Sequence, residues 1–73
     1  MVVADKRLGV ASAHPVDDAL EPGLMARVEG TIVAGVNGGA IGLEDVRPEG
    51  SKTMGASSWW SGRQYGDGSV EWS

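Results

Sequence analysis

The sequence predicts a mostly β protein: a small, glycine-rich antiparallel meander over about residues 24–46, flanked by an extended N-terminal segment and a C-terminal arm. Three observations predict this fold class. Apolar side chains alternate or cluster in runs of strand length, Asn37-Gly38 is a strong hairpin signal, and four glycines within residues 31–43 disfavour the competing helix by about 1 kcal/mol each.

The N-terminal segment, residues 1–23, is interrupted twice by proline. His14-Pro15 forms the first break, and Glu21-Pro22-Gly23 forms the second. The second break has proline and glycine where a type II turn needs them. Between the breaks, residues 16–20 are compatible with one helical turn. A strand, a helical turn and a loop all stay open for residues 1–23.

Three strands are expected in the meander. Residues 24–29 alternate, with Leu24, Ala26 and Val28 forming the apolar set of a strand that has one face covered. The stretch from Thr31 to Val36 is apolar on both faces, as in a central strand, and Glu29-Gly30 is the turn between the two.

The hairpin at Asn37-Gly38 leads into the third strand of the meander. Both turn residues tolerate the positive φ of a type I′ turn, and residues 40–46 then return as the partner strand. Pro48 is expected to close the meander, because proline cannot donate the hydrogen bond that a continuing central strand requires. The glycines of residues 35–42 also permit another backbone to approach closely.

The chain therefore divides into a small β domain with a turn-rich lead segment, residues 1–50, and a C-terminal arm rich in Gly, Ser and Trp, residues 51–73. All four aromatic side chains lie in the last fifteen residues. Aromatic rings bury about 150–250 Å² each, so the arm is expected to dock, either in cis or onto a neighbour. Residues 69–72 alternate as a final short strand. The side chains expected at a protein interface are Met54, Trp59, Trp60, Tyr65, Val70 and Trp72.

The composition argues against catalysis and against a resident metal or cofactor. The chain has no cysteine and one histidine, His14, so disulfides, thiolate sites and a nucleophile-histidine-acid triad are not expected. The glycine-rich residues 35–42 lack the Lys-Ser/Thr ending of a phosphate loop. His14, Asp17, Asp18 and Glu21 lack the spacing of a calcium loop, so a solvated acidic face is expected. We predict that the protein is not an enzyme.

The charge balance predicts no nucleic-acid partner, and no membrane partner is expected either. Ten acidic residues against six basic ones give a net charge of −4, and the cations are dispersed along the sequence, mostly beside acids. A nucleic-acid binder is expected to carry a basic stripe. No apolar run approaches the roughly 20 residues that cross a bilayer. A chain this short without disulfides or metal is usually stabilised by assembly.

The stretch from Gly23 to Val36, together with the aromatic arm, resembles the head decoration (cement) and minor capsid proteins of tailed bacteriophages. The resemblance implies a non-enzymatic structural protein of the virion that stabilises the capsid by clamping neighbouring subunits. Its expected partners are the major capsid protein or copies of itself in a large homo- or hetero-oligomer. Its expected location is the capsid surface.

Two other classes of function stay open at this level. One is a small ligand-binding β module of the carbohydrate-binding type, with Trp59, Trp60 and Tyr65 as a stacking platform. The other is an inhibitory protein that inserts its arm into a partner's groove. Outside a virion, a cytoplasmic location is expected.

Overall fold

Seven strands and one short helix form from residues 1–73 in the computed structural model. The helix has seven residues, and no helix of the chain is long or apolar enough to cross a membrane. The prediction of a mostly β fold is confirmed. The elements are, in chain order, β1 (Val2–Val3), β2 (Lys6–Val16), β3 (Leu24–Val28), β4 (Thr31–Val36), β5 (Gly39–Pro48), β6 (Met54–Gly55), α1 (Ala56–Gly62) and β7 (Ser69–Glu71).

The strands form one antiparallel sheet that closes on itself where the two chain ends meet. The strand order is β1-β2-β5-β4-β3-β7, with β6 also paired to β5. At the closing seam, which we define as the pairing of residues 2–3 with residues 72–73, Val3 bridges Trp72. The backbone N–H groups of Val2 and Ser73 each donate to the other residue's carbonyl, at 2.6 and 2.9 Å. From Gly9 onward, β2 has a strand neighbour on one side only, so the barrel is partly open there.

The predicted meander is confirmed as β3, β4 and β5. Val28 pairs with Thr31 around Glu29-Gly30, and Val36 pairs with Gly39 around Asn37-Gly38. In the second turn Gly38 has φ +86° whereas Asn37 has a negative φ, which matches a type II turn rather than the expected type I′.

The core face of β3 differs from the expected one. Met25 is fully buried, whereas Leu24, Ala26 and Val28 are only half-buried. Successive side chains of a strand point to opposite faces, so Met25 projects into the barrel. The three alternating apolar residues lie on the outer face.

The N-terminal segment is a β hairpin followed by a loop. Ala4 and Asp5 form the tight turn between β1 and β2, both with positive φ. Pro15 lies inside β2, where it is tolerated because that part of the strand has one free edge. The predicted turn at Pro22-Gly23 is confirmed, since Gly23 has φ +89° and the N–H of Leu24 donates to the Glu21 carbonyl at 3.1 Å.

Residues 51–73, the expected arm, supply β6, α1 and β7 to the same sheet and core. An extended arm is predicted from the sequence, whereas the structure has a helix over Ala56–Gly62. Ala56, Trp59 and Trp60 follow the i, i+3, i+4 spacing of an apolar helical face, and all three are buried. The buried core cluster consists of Val3, Leu8, Met25, Ile32, Ala34, Leu43, Val46, Ala56, Trp59 and Trp60.

A second backbone layer covers the outer face of β4. The loop between β2 and β3 crosses Gly35, where an added Cβ would lie 2.6 Å from the Leu20 carbonyl oxygen and closer still to that of Glu21. The sequence-based expectation of a close backbone approach is confirmed at this glycine. Both obstructing atoms belong to the backbone, so no side chain can rotate away to make room.

We expect Gly35→Ala to destabilise the fold by about 2–3 kcal/mol, because overpacking forces the loop off β4. For a domain of this size that is a drop in Tm of roughly 10 °C or more, measurable by circular dichroism. Gly39→Ala is the matched control, since nothing lies within 4 Å of its added Cβ. Equal melting temperatures for the two variants would contradict the close approach.

Candidate functional site

Most of the cationic side chains are free of acidic partners. The protein has six lysines and arginines, and of these only Arg27 forms an ion pair, with its Nη2 atom 2.7 Å from Asp67 Oδ1. The other ion pair joins His14 and Glu44. The remaining five cations are exposed; we call them the basic rim, which comprises Lys6, Arg7, Arg47, Lys52 and Arg63.

The fold brings three of these cations to one shallow depression. Lys6, Arg7 and Arg63 line it, although Arg63 is more than fifty residues from the other two. Its apolar lining consists of Val3, Leu8, Pro48, Trp59 and Tyr65. The start of β2 and the end of α1 therefore meet at one end of the barrel.

The register between β2 and β5 places two arginines on the outside of the sheet. Leu8 pairs with the buried Pro48, and Gly9 pairs with Arg47. Because side chains alternate along a strand, Arg7 and Arg47 both point outward. Gly9 lies between them without a side chain, and a Cβ there would be 3.6 Å from the Cβ of Arg47.

Lys52 and Arg63 reach the same end through turns that follow β5 and α1. The N–H of Ser51 donates to the Pro48 carbonyl at 3.0 Å, which turns the chain back and leaves Lys52 next to the end of β5. Arg63 caps α1, and its N–H donates to the Trp59 carbonyl at 3.1 Å. The turn at Pro48 was predicted, whereas the helix that positions Arg63 was not.

Three aromatic rings pack together next to the depression, and two of them, Trp59 and Tyr65, line it. Trp60 and Tyr65 pack edge to face with ring centroids 4.9 Å apart, and Trp59 lies 5.9 Å from Tyr65 and 6.1 Å from Trp60. The indole N–H of Trp60 donates to the Gly66 carbonyl at 2.7 Å. These contacts fix the loop that follows α1, which contains Arg63.

Acidic side chains lie at both ends of the barrel: Asp5 directly precedes Lys6, and the N–H of Glu49 donates to the Arg7 carbonyl at 3.2 Å. Asp17, Asp18 and Glu21 are exposed in the loop between β2 and β3. His14 contacts Glu44 on β5, with Nδ1 2.6 Å from the carboxylate, rather than joining a metal cluster with the loop acids. No group of three His, Cys, Asp or Glu side chains in the structure could hold a metal ion.

Five of the six residues expected at a protein interface lie in or against the chain's own core, and Met54 does not. Trp59 and Trp60 are buried, Tyr65, Val70 and Trp72 are half-buried against the core cluster, and Met54 is 36% exposed. The indole N–H of Trp72 donates to the Leu24 carbonyl at 2.9 Å. The aromatic tail thus packs in cis, and an interface role for these six residues stays a prediction.

The chemistry that this arrangement offers is binding of an anionic polymer. Guanidinium groups bind phosphate through two parallel hydrogen bonds, and lysine adds a mobile point charge. Three unpaired cations at the depression, with Arg47 and Lys52 near the end of β5, suit the spaced charges of a phosphate backbone. Along the sequence these cations are dispersed. Strand register and the position of α1 bring them closer together in the fold.

Comparison with known proteins is consistent with this geometry. The model of a family described as "Formyl transferase, C-terminal domain" matches residues 1–64. The methionyl-tRNA formyltransferases of Clavibacter sepedonicus and of Clavibacter michiganensis subsp. michiganensis are each 37% identical over 62 residues, or 82% of this chain. The chain spans about 20% of the length of these relatives. No solved structure matches.

These matches overturn the functional predictions drawn from the sequence. The resemblance to phage decoration proteins is wrong, and with it the capsid role, the virion location and the capsid partners, since the matched family and relatives are formyltransferases. The prediction of a non-enzymatic protein is wrong because those relatives are enzymes. The exclusion of nucleic acid is wrong because their name specifies a tRNA. The phage resemblance rested on a glycine-rich, cysteine-free β composition, and unrelated small β folds can have the same composition.

Proposed function

Because this chain belongs to the formyl transferase C-terminal domain family, we propose that it supports formyl transfer to methionyl-tRNA by binding the tRNA through the basic rim. The observation that carries the proposal is the set of five exposed cations without ion-pair partners. Phosphate neutralisation by such side chains supplies most of the affinity of proteins for nucleic acids.

We assign binding rather than transfer chemistry to this domain. Its one imidazole, His14, is exposed and contacts Glu44, and no cysteine is present. The matched relatives have four fifths of their length outside the region of similarity, and we place the formyl-transfer site there. Holding the tRNA close to that site converts an encounter between two molecules into a step within one complex.

The net charge of −4 does not prevent tRNA binding at the rim. The protein extends 31 Å along its longest axis, whereas charges at physiological salt are screened over about 8 Å. The unpaired loop acids Asp17, Asp18 and Glu21 follow the far end of β2, opposite the end where Lys6 and Arg7 lie. A phosphate at the rim is therefore screened from the loop acids, and the five rim cations outnumber the adjacent carboxylates of Asp5 and Glu49.

The proposal is tested by titrating a fluorescently labelled methionine tRNA with the 73-residue chain and following anisotropy at several salt concentrations. Changing all five rim residues to glutamine is expected to weaken binding roughly 100-fold and to reduce the slope of log K against log salt by about 3.5–4.5, because each lost phosphate contact removes roughly 0.7–0.9 from the slope.

The matched control compares two single variants of identical chemistry. Arg47→Gln removes an unpaired cation and is expected to weaken binding several-fold, whereas Arg27→Gln removes a cation already neutralised by Asp67 and is expected to change little. A five-residue variant that binds the tRNA as the parent does, with the same salt slope, would refute the proposed function.

A further inference from the structure

The hydroxyl of Tyr65 has no hydrogen-bonding partner within the protein. The indoles of Trp60 and Trp72 donate internally, to the Gly66 and Leu24 carbonyls, whereas the Trp59 indole, like the Tyr65 hydroxyl, has no internal partner. No buried side-chain oxygen or nitrogen lacks a partner, so the unpartnered phenolic oxygen of Tyr65 is accessible to solvent. A half-buried ring with an accessible hydroxyl is suited to donate a hydrogen bond outward.

This side chain lies among unpaired cations at the depression already described. Lys6, Arg7 and Arg63 line the depression together with Tyr65, and none of the three cations has a carboxylate partner. The depression has room for about one water-sized group. That space suits a single phosphate oxygen and is too small for a nucleobase.

The position of the tyrosine ring is set before any ligand arrives. Edge-to-face packing against Trp59 and Trp60 holds the ring from two sides, so little rotational freedom is lost when the hydroxyl forms a bond. Preorganised donors of this kind bind an anion with a smaller entropic cost than mobile lysines do.

We propose that this depression anchors one phosphate of the bound RNA, with the Tyr65 hydroxyl donating a hydrogen bond and Lys6 and Arg63 neutralising the charge. The inference rests on the proposed function and adds a defined contact point to it. The rim as a whole attracts the polyanion, and the depression sets where one phosphate lies.

The test is Tyr65→Phe, which retains the ring and removes only the hydroxyl. We expect about tenfold weaker binding of methionine tRNA, since hydrogen bonds to charged groups are stronger than neutral ones, and an unchanged Tm. Ser69→Ala, which removes an exposed hydroxyl on β7, is the control and should bind as the parent. In the double variant Tyr65→Phe with Arg63→Gln, the loss is expected to be smaller than the product of the single losses, because both contact one phosphate.

The outcomes separate this inference from the proposed function. Parent-like binding by Tyr65→Phe, with the rim variants still weakened, would refute the anchor and leave the rim proposal standing. Inorganic phosphate is the second probe: we expect it to displace tRNA no better than chloride does at equal ionic strength. Displacement by submillimolar phosphate would identify a free-anion site and overturn the assignment to RNA.

Discussion

Replacing Trp60 with alanine is expected to leave much of the protein unfolded at 25 °C. Trp60 is fully buried at the centre of the core cluster, packs edge to face against Trp59 and Tyr65, and donates its indole N–H to Gly66. Removal of a buried tryptophan costs about 3–5 kcal/mol. Domains are stable by about 5–15 kcal/mol, and small ones lie near the lower limit.

Urea denaturation followed by far-ultraviolet circular dichroism measures this loss. Met54→Ala is the control, because Met54 is partly exposed, and we expect it to shift the midpoint by less than about a quarter of the Trp60 effect. If Trp60→Ala unfolded at the midpoint of the parent, the indole would not be a core side chain. The cis packing of the tail would then be wrong.

A chain ending at Gly50 is expected to show no cooperative thermal transition. The truncation removes β6, α1 and β7, and with them Ala56, Trp59 and Trp60 from the core. It also removes Trp72 and Ser73, which form one side of the closing seam. The remaining strands could bury only part of their apolar face, and a domain of this size has little surplus.

The matched truncation ends at Gly68 and removes β7 and the closing seam but retains α1. We expect it to melt cooperatively at a lower temperature than the intact chain, because β3 loses three residue pairs while the tryptophan core stays. Calorimetry on all three lengths measures the order of these transitions. A chain ending at Gly50 that melts at the temperature of the intact protein would make residues 1–50 an autonomous domain and contradict the integrated barrel.

Residues 51–73 therefore contribute both to the core and to the proposed site. Trp59 and Trp60 are core residues of α1, and the same helix is capped by Arg63, which lies at the depression with Tyr65. A substitution that removes a ring from the aromatic cluster is expected to destabilise the fold, and any loss of RNA binding would follow from that destabilisation. For this reason Tyr65→Phe, which keeps every ring contact, is the informative change at the site.

Local features of the fold were predictable from single segments. The turns at Glu29-Gly30, Asn37-Gly38 and Pro22-Gly23 form where the sequence predicts them, because a turn depends on the φ preferences of two adjacent residues. The strands of the meander follow from apolar runs between those turns. The hairpin of residues 2–16 was not predicted, because β2 has one free edge and exposed faces along much of its length, so its side chains show no clear alternation.

Little in the sequence indicated the candidate site. Lys6-Arg7 was the one visible pair of adjacent cations, and Arg63 was placed in an extended arm. Two signals were available: the spacing of Ala56, Trp59 and Trp60, which matches one face of a helix, and the absence of an acid next to Arg63. Neither shows that α1 packs beside the start of β2, since no local rule relates residues 6–7 to residue 63.

The sequence by itself determined the mostly β class, the positions of the glycine turns and the need for the aromatic side chains to be buried. Only the tertiary structure decided that the chain buries Trp59 and Trp60 in its own core, that its two ends close the barrel, and that Lys6, Arg7 and Arg63 line one depression. The physical reason is the range of the interactions. Turn and strand preferences act between neighbouring residues, whereas core packing and electrostatic complementarity depend on residues that the chain brings together from distant positions.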